Sequence, residues 1–143
     1  MPIRKLLQRP VHSLPPDASC EDAALLMRDQ NIGCVVVADA ARRPVGVVTD
    51  RDLVIWAIAE GHDARKLRLR DIMSDEPIFL SSDQGLDQVV TAMRELAIRR
   101  VPIVDEAGEL CGLVSMDDLV ILLADQIGSL AEAVREEVRA PAR

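Results

Sequence analysis

The chain has 143 residues, 49% of them hydrophobic, and a formal charge of −7 at pH 7. With one Trp, one Phe, no Tyr and an acidic balance, it lacks both the base-stacking aromatics and the Lys/Arg excess of a nucleic-acid surface, which argues against RNA or DNA as a partner. The longest apolar runs fall far short of a membrane span and the N-terminus carries no signal-peptide pattern, so a cytoplasmic protein with no membrane partner is expected.

The length suits one ordinary domain, or two small ones sharing a core. Cys20, Cys34 and Cys111 are odd in number and not spaced as a metal site or a CxxC pair, so reduced thiols are expected. His12 and His62 are the only histidines, too few for a His-based metal or acid–base centre. Nor does the chain carry a P-loop or a nucleophile–base pair, and the expected class is not an enzyme.

In chain order, the first unit opens with a short apolar segment (Val11 to Leu14) and a polar turn at Pro15-Pro16-Asp17. A helix comes next, with Cys20, Ala23, Ala24 and Met27 on one face, weakening at Gln30 and Asn31. Two strands succeed it, Cys34 to Val37 and Val45 to Val48, joined through Asp39-Ala40-Ala41-Arg42-Arg43. The unit closes on a helix carrying Leu53, Trp56 and Ala57. A Lys/Arg-rich segment, Gly61 to Arg70, links it to a second unit.

The second unit repeats the first without gaps, 66 residues on (46 to 112). Pro77 to Leu80 and Ser81-Ser82-Asp83 open it, and a helix with Leu86, Val89, Val90, Met93, Leu96 and Ala97 on one face succeeds them. Val101 to Val104 and Leu110 to Val114 flank the turn Asp105-Glu106-Ala107-Gly108, and Leu119, Leu122 and Leu123 mark the closing helix. About a dozen of some forty central positions are identical, the mark of a duplicated supersecondary unit. Two copies are too few for a solenoid, so a closed pair is expected. The fold class is therefore α/β (α+β): tandem β-α-β-β-α units at 1–68 and 69–127, then a helix over Ser129 to Arg139 in a tail of 128–143. That helix shows Leu130, Val134 and Val138 at i, i+4 and i+8, a narrow stripe that either folds back on the chain or packs across a dimer.

The repeat centres on Gly46-Val47-Val48-Thr49-Asp50-Arg51-Asp52-Leu53 and Gly112-Leu113-Val114-Ser115-Met116-Asp117-Asp118-Leu119. Each places a hydroxyl and a carboxylate at a strand-to-helix turn, where free N–H groups and the helix dipole favour an anion. Two readings fit: a capping box, with Asp in place of the usual Glu or Gln, or a phosphate and ribose site.

These two motifs, with Val101-Pro102-Ile103-Val104-Asp105 and Asp71-Ile72-Met73-Ser74, resemble the CBS domain, named after cystathionine β-synthase, over about Ile3 to Ile127. The resemblance implies a stand-alone regulatory pair, a Bateman module, that needs no cofactor. Its expected ligands are AMP, ADP, ATP, S-adenosylmethionine or NAD, held in the cleft between the units, and a homodimer is implied, with a protein target left open. Asp52 and Asp118 are assigned to ribose, Thr49 and Ser115 to phosphate. Arg99, Arg100 and, beside Asp52, Arg51 are assigned to the phosphate end, and Asp50, Val101 and Pro102 are counted with them as ligand-binding residues. For the arginines, a solvated place near a helix terminus is the alternative. Gly33 and Cys34 stand where the second unit has Arg99 and Arg100, so the two sites are not expected to be equivalent.

Overall fold

The structure, a computed structural model, describes residues 1–7, 10–75 and 78–141. After a 3-10 turn at Ile3–Leu6 come β1 (Ser13–Leu14), α1 (Cys20–Gln30), β2 (Cys34–Ala38), β3 (Pro44–Thr49) and α2 (Asp50–Asp52), which runs on as a π-helix over Leu53–Ile58. A second 3-10 turn, Leu69–Asp71, leads through β4 (Ser74–Asp75) into β5 (Leu80–Ser81), α3 (Leu86–Leu96), β6 (Arg100–Val104), β7 (Leu110–Ser115) and α4 (Met116–Arg139). Pro77, where the second unit's apolar opening was expected, lies outside the described residues. One sheet has the order β1-β2-β3-β4 and the other β5-β6-β7. In both, the first strand pairs parallel with the second and the second antiparallel with the third.

Local chemistry explains why the copies match. Ser19 caps α1, its hydroxyl accepting from the Asp22 N–H while the Asp22 carboxylate accepts from the Ser19 N–H, both at 3.0 Å. The equivalent residues Asn31 and Ala97 end α1 and α3 in the left-handed conformation. In the β2–β3 turn the Asp39 carboxylate accepts from the Ala41 and Arg43 N–H groups, and Asp105 accepts likewise from Ala107 and Glu109 in the β6–β7 turn. Cys20, Ala23 and Met27 of α1 are buried, as are Val89 and Met93 of α3. Ala24, Val90 and Leu96, expected on those faces, remain exposed, and Ala97 falls beyond the helix. The sheets cover only a narrow stripe of each helix.

The units exchange their opening segments. Ile3 is buried among Val89, Val101 and Ile103 of the second unit, and its N–H donates to the Gln84 carbonyl (2.9 Å). Leu69 is buried among Cys20, Val35 and Val48 of the first, its N–H donating to the Ala18 carbonyl (2.9 Å). The stretch read as a linker is therefore packed structure, with Ala64 and Leu67 against the first core. The motif glycines make this crossing possible: a Cβ on Gly46 would stand 2.5 Å from the Met73 sulfur, and one on Gly112 would collide with the Leu7 methyls. A third cluster, Val36, Ala38 and Leu110, joins the two sheets, and the Leu110 N–H donates to the Arg42 carbonyl at 2.7 Å. The closed pair expected from the repeat is thus held by an apolar seam and by swapped segments.

The helix expected as a separate element from Ser129 is the distal half of α4, which runs through Gly128 without a break. A lone glycine costs a helix about 1 kcal/mol, too little to stop it. Ser129 does not cap a new helix; its hydroxyl donates back to the Asp125 carbonyl (3.1 Å). Leu130, Val134 and Val138 are exposed, so among the described residues the stripe does not fold back on its own chain. Residues 142 and 143 of the expected tail lie outside the described residues.

Candidate functional site

Both motifs form complete capping boxes. The Thr49 N–H donates to Asp52 Oδ2 (2.9 Å), and the Asp52 N–H donates to Thr49 Oγ1 (3.1 Å). In the second unit the Ser115 N–H donates to Asp118 Oδ2 and the Asp118 N–H to Ser115 Oγ, both at 3.1 Å. The capping reading is therefore realised without a ligand. It leaves the other oxygen of each aspartate without a protein hydrogen bond among the described residues, able to accept from a ligand. Capping and ligand holding are compatible in one side chain.

The loop before β2 is tied to the first motif, and the loop before β6 to the second, by one backbone bond each. The Asp50 N–H donates to the Gly33 carbonyl (3.0 Å) and the Met116 N–H to the Arg99 carbonyl (2.7 Å). The side chains at these loops separate the two sites. Arg99 stays in its own unit, where its guanidinium meets the Asp117 carboxylate at 3.2 Å. Arg100 crosses to the first unit. A Cβ placed on Gly33 would lie 3.1 Å from Asp50 Oδ2 and 3.6 Å from Arg100 Nη2, so the absent side chain at Gly33 leaves room for both. Cys34 senses the same charges. Its thiol is raised to about 11, chiefly by burial, with Arg100 opposing the rise and Asp52 and Asp50 adding to it. Arg100, Asp50 and Asp52 thus gather around the start of β2, across the seam between the units. Cys20 and Cys111 are also raised, chiefly by burial, and these thiols stay protonated at neutral pH.

The remaining candidates divide between surface and core. Arg51 is exposed, and its N–H donates to Asp50 Oδ1 (2.8 Å). Val101 and Pro102 are fully buried in β6, and neither lines the groove beside Asp52. Asp52 is half-buried whereas Asp118 is exposed.

A groove of about 760 Å³ opens beside Asp52. One wall is a face of α2 and its continuation, with Asp52, Trp56 and Glu60; the other is the crossing segment, with Ile72 and Met73. The sequence groups Leu53, Trp56 and Ala57 as the apolar residues of the closing helix. Leu53 and Ala57 are buried, but Trp56 is 51% exposed. The reason is the π-helix: bonds such as Ala59 N–H to the Val54 carbonyl (2.9 Å) span five residues, so residue i+3 turns away from i while i+4 stays near it. Leu123, expected on the closing face of the second unit, is likewise exposed, whereas Leu122 is half-buried. Sequence reasoning missed Trp56, Ile72 and Met73 as groove residues. The available signal was Asp71-Ile72-Met73-Ser74, read as the opening of the second unit when in space it covers the first.

The CBS domain model matches residues 3–58 and 69–125. The chain belongs to the CBS domain family, as a tandem pair, a class whose domains are in general regulatory modules. An uncharacterized protein of Methanopyrus kandleri, MK0525, is 31% identical over 134 residues, covering 94% of this chain and 68% of that protein. Among solved structures, the CBS domain protein PAE2072 from Pyrobaculum aerophilum, complexed with AMP, is 31% identical. It superposes with a TM-score of 0.77 over 87% of this chain and 97% of that one. The CBS domain pair of protein MJ0100, in complex with 5′-methylthioadenosine and S-adenosyl-L-methionine, has a TM-score of 0.77 at 25% identity, over 88% of this chain and 98% of that one. No helix among the described residues is long and apolar enough to cross a membrane.

Proposed function

We propose that this chain is a non-catalytic, cytoplasmic sensor that binds an adenosine-containing ligand in the cleft between its two units and acts as a homodimer. The observation that carries this reading is Arg100, supplied by the second unit, reaching the Gly33–Cys34 loop of the first, where Asp50 also stands and where the charge of Asp52 is felt. An arginine donated across a seam has no role in folding either unit alone, and a guanidinium suits phosphate oxygens. Asp52, with one oxygen used in the cap, accepts ribose hydroxyls with the other, while the Thr49 hydroxyl, which accepts in the cap and can still donate, and the positive end of the helix dipole favour the phosphate. A ligand bound this way ties the units together and shifts the population toward the conformation it binds better. The complexes with AMP and with S-adenosyl-L-methionine formed by similar proteins support the ligand class. The exposed helix faces, with Val54 and Ile58 in the first unit and Val120 and Ile121 in the second, support a dimer.

Isothermal calorimetry of the nucleotide-stripped protein against AMP, ADP, ATP, S-adenosylmethionine and NAD tests this. Saturable binding of a phosphate-bearing ligand is expected, weakened about tenfold or more by Arg100→Ala while adenosine itself is little affected. Asp52→Asn keeps an acceptor for the cap and removes one for ribose, so it should lower affinity with little loss of stability. A second reading, a ligand-free dimeric scaffold, is favoured by the capping boxes being complete without a ligand. Absence of heat and of thermal shift with every ligand would select it.

A further inference from the structure

We infer that Trp56 is the stacking platform for the ligand's base in the first site, which makes the two sites of the pair chemically unequal. This rests on the ligand class proposed above.

Trp56 is the only tryptophan of the chain, and about half of it is open to solvent in a protein whose core is aliphatic. It lines the same groove as Asp52, one turn further along the helix. A base emerging from a ribose held at Asp52 therefore meets either the indole or the opposite wall, where Ile72 and Met73 stand. An indole face on one side and an aliphatic and thioether surface on the other suit a flat heteroaromatic ring. The phosphate end cannot point into this part of the groove. Besides Asp52, its ionisable lining among the described residues is Glu60, Asp71 and His62, with neither Lys nor Arg, so an anionic group is favoured only on the Arg100 side of Asp52. The ligand is thereby oriented with its phosphates toward Thr49 and Arg100 and its base toward Trp56.

The π-helix is what puts the indole there. In a regular α-helix residue 56 would accompany Leu53 into the core. With five-residue bonds it swings out, while Asp52 and Trp56 stay on one face. The second unit has Leu122 at the corresponding position, in a regular α-helix, so its helix supplies no aromatic platform there.

The single tryptophan supplies its own readout. Titrating AMP and adenosine into the full chain, with tryptophan emission measured alongside calorimetry, should quench or shift the emission in step with the binding isotherm of the first site. Trp56→Leu, which copies the second unit, should weaken that site roughly tenfold, with Trp56→Phe between the two. Sedimentation of the same variants serves as the control for a dimer contact. Ligand binding with unchanged emission and unchanged affinity in Trp56→Leu would overturn the inference and leave the sensor reading standing. A variant that dissociates the protein while its remaining affinity is normal would also overturn it. No calorimetric binding to the unmodified chain would overturn both readings together.

Discussion

Thr49 and Asp52 cap α2, and Ser115 and Asp118 cap α4, with the same atoms at nearly the same distances. What surrounds the two caps differs. The first is half-buried, faces an arginine from the other unit and borders a groove with an exposed indole. The second is exposed, and the nearby Arg99 is engaged by Asp117. A duplicated backbone thus carries two different environments, because the adjacent residues Arg99 and Arg100 turn to different units. Motif identity guarantees the helix start and not the ligand.

The largest expected contrast lies under the crossing segments. At Gly46 a Cβ would press on the Cβ, Cγ and sulfur of Met73, whereas at Gly112 it would meet only the branched end of Leu7. Met73 Cβ cannot move without its backbone, which is held by the bond from its N–H to the Leu69 carbonyl (2.8 Å). Gly46→Ala should therefore cost about 3 kcal/mol and Gly112→Ala about 1 kcal/mol, as overpacking costs generally run. Urea unfolding of both variants checks this, and equal losses would erase the asymmetry.

The next contrast is between Cys34 and its counterpart Arg100, and it is read by pH. Because the folded thiol is raised from 9.0 to about 11, the folded state holds its proton more tightly than the unfolded chain. Its contribution is fully present below about pH 9 and is lost as pH rises through about 11, an effect of about 3 kcal/mol at most. Thermal unfolding between pH 8 and 11 should show this decline in the unmodified protein, and Cys34→Ala should flatten it. The same burial predicts that Cys34 resists alkylation at neutral pH.

The smallest contrast is in the hairpins. Arg42 adopts the left-handed conformation (φ 61°) where the second unit has Gly108 (φ 79°). Arg42→Gly should gain about 0.5 kcal/mol and Gly108→Ala lose about 1 kcal/mol, since only glycine takes that conformation at little steric cost. Melting temperatures moving in opposite directions would establish that the two turns are one turn with unequal residues.

Much of the fold was legible because its signals are local. The Asp39 and Asp105 turns, the hydroxyl–carboxylate caps and the alternation in the strands each depend on residues within a few positions of one another. The errors arose where helix geometry or the reach of the packing, neither of them written in the apolar spacing, decided the outcome. Trp56 reads as one of the helix's apolar residues with Leu53 and Ala57, yet the π-helix turns it outward. Ala24, Val90 and Leu96 read as core, yet the sheets cover only the centre of each stripe. Ser129 reads as a helix start, yet it bonds backwards within a helix that continues.

By itself, then, the sequence determined two β-α-β-β-α units, their capped helix starts and their pairing, since each rests on short-range hydrogen bonding and on apolar periodicity written twice. Only the tertiary structure decided that Ile3 completes the second core and Leu69 the first, that Met73 lies over Gly46, and that Arg100 reaches the first site while Arg99 stays in the second. Those outcomes depend on how two similar surfaces close on each other. Close packing allows one crossing of the opening segments, and that crossing brings residues dozens of positions apart within contact distance.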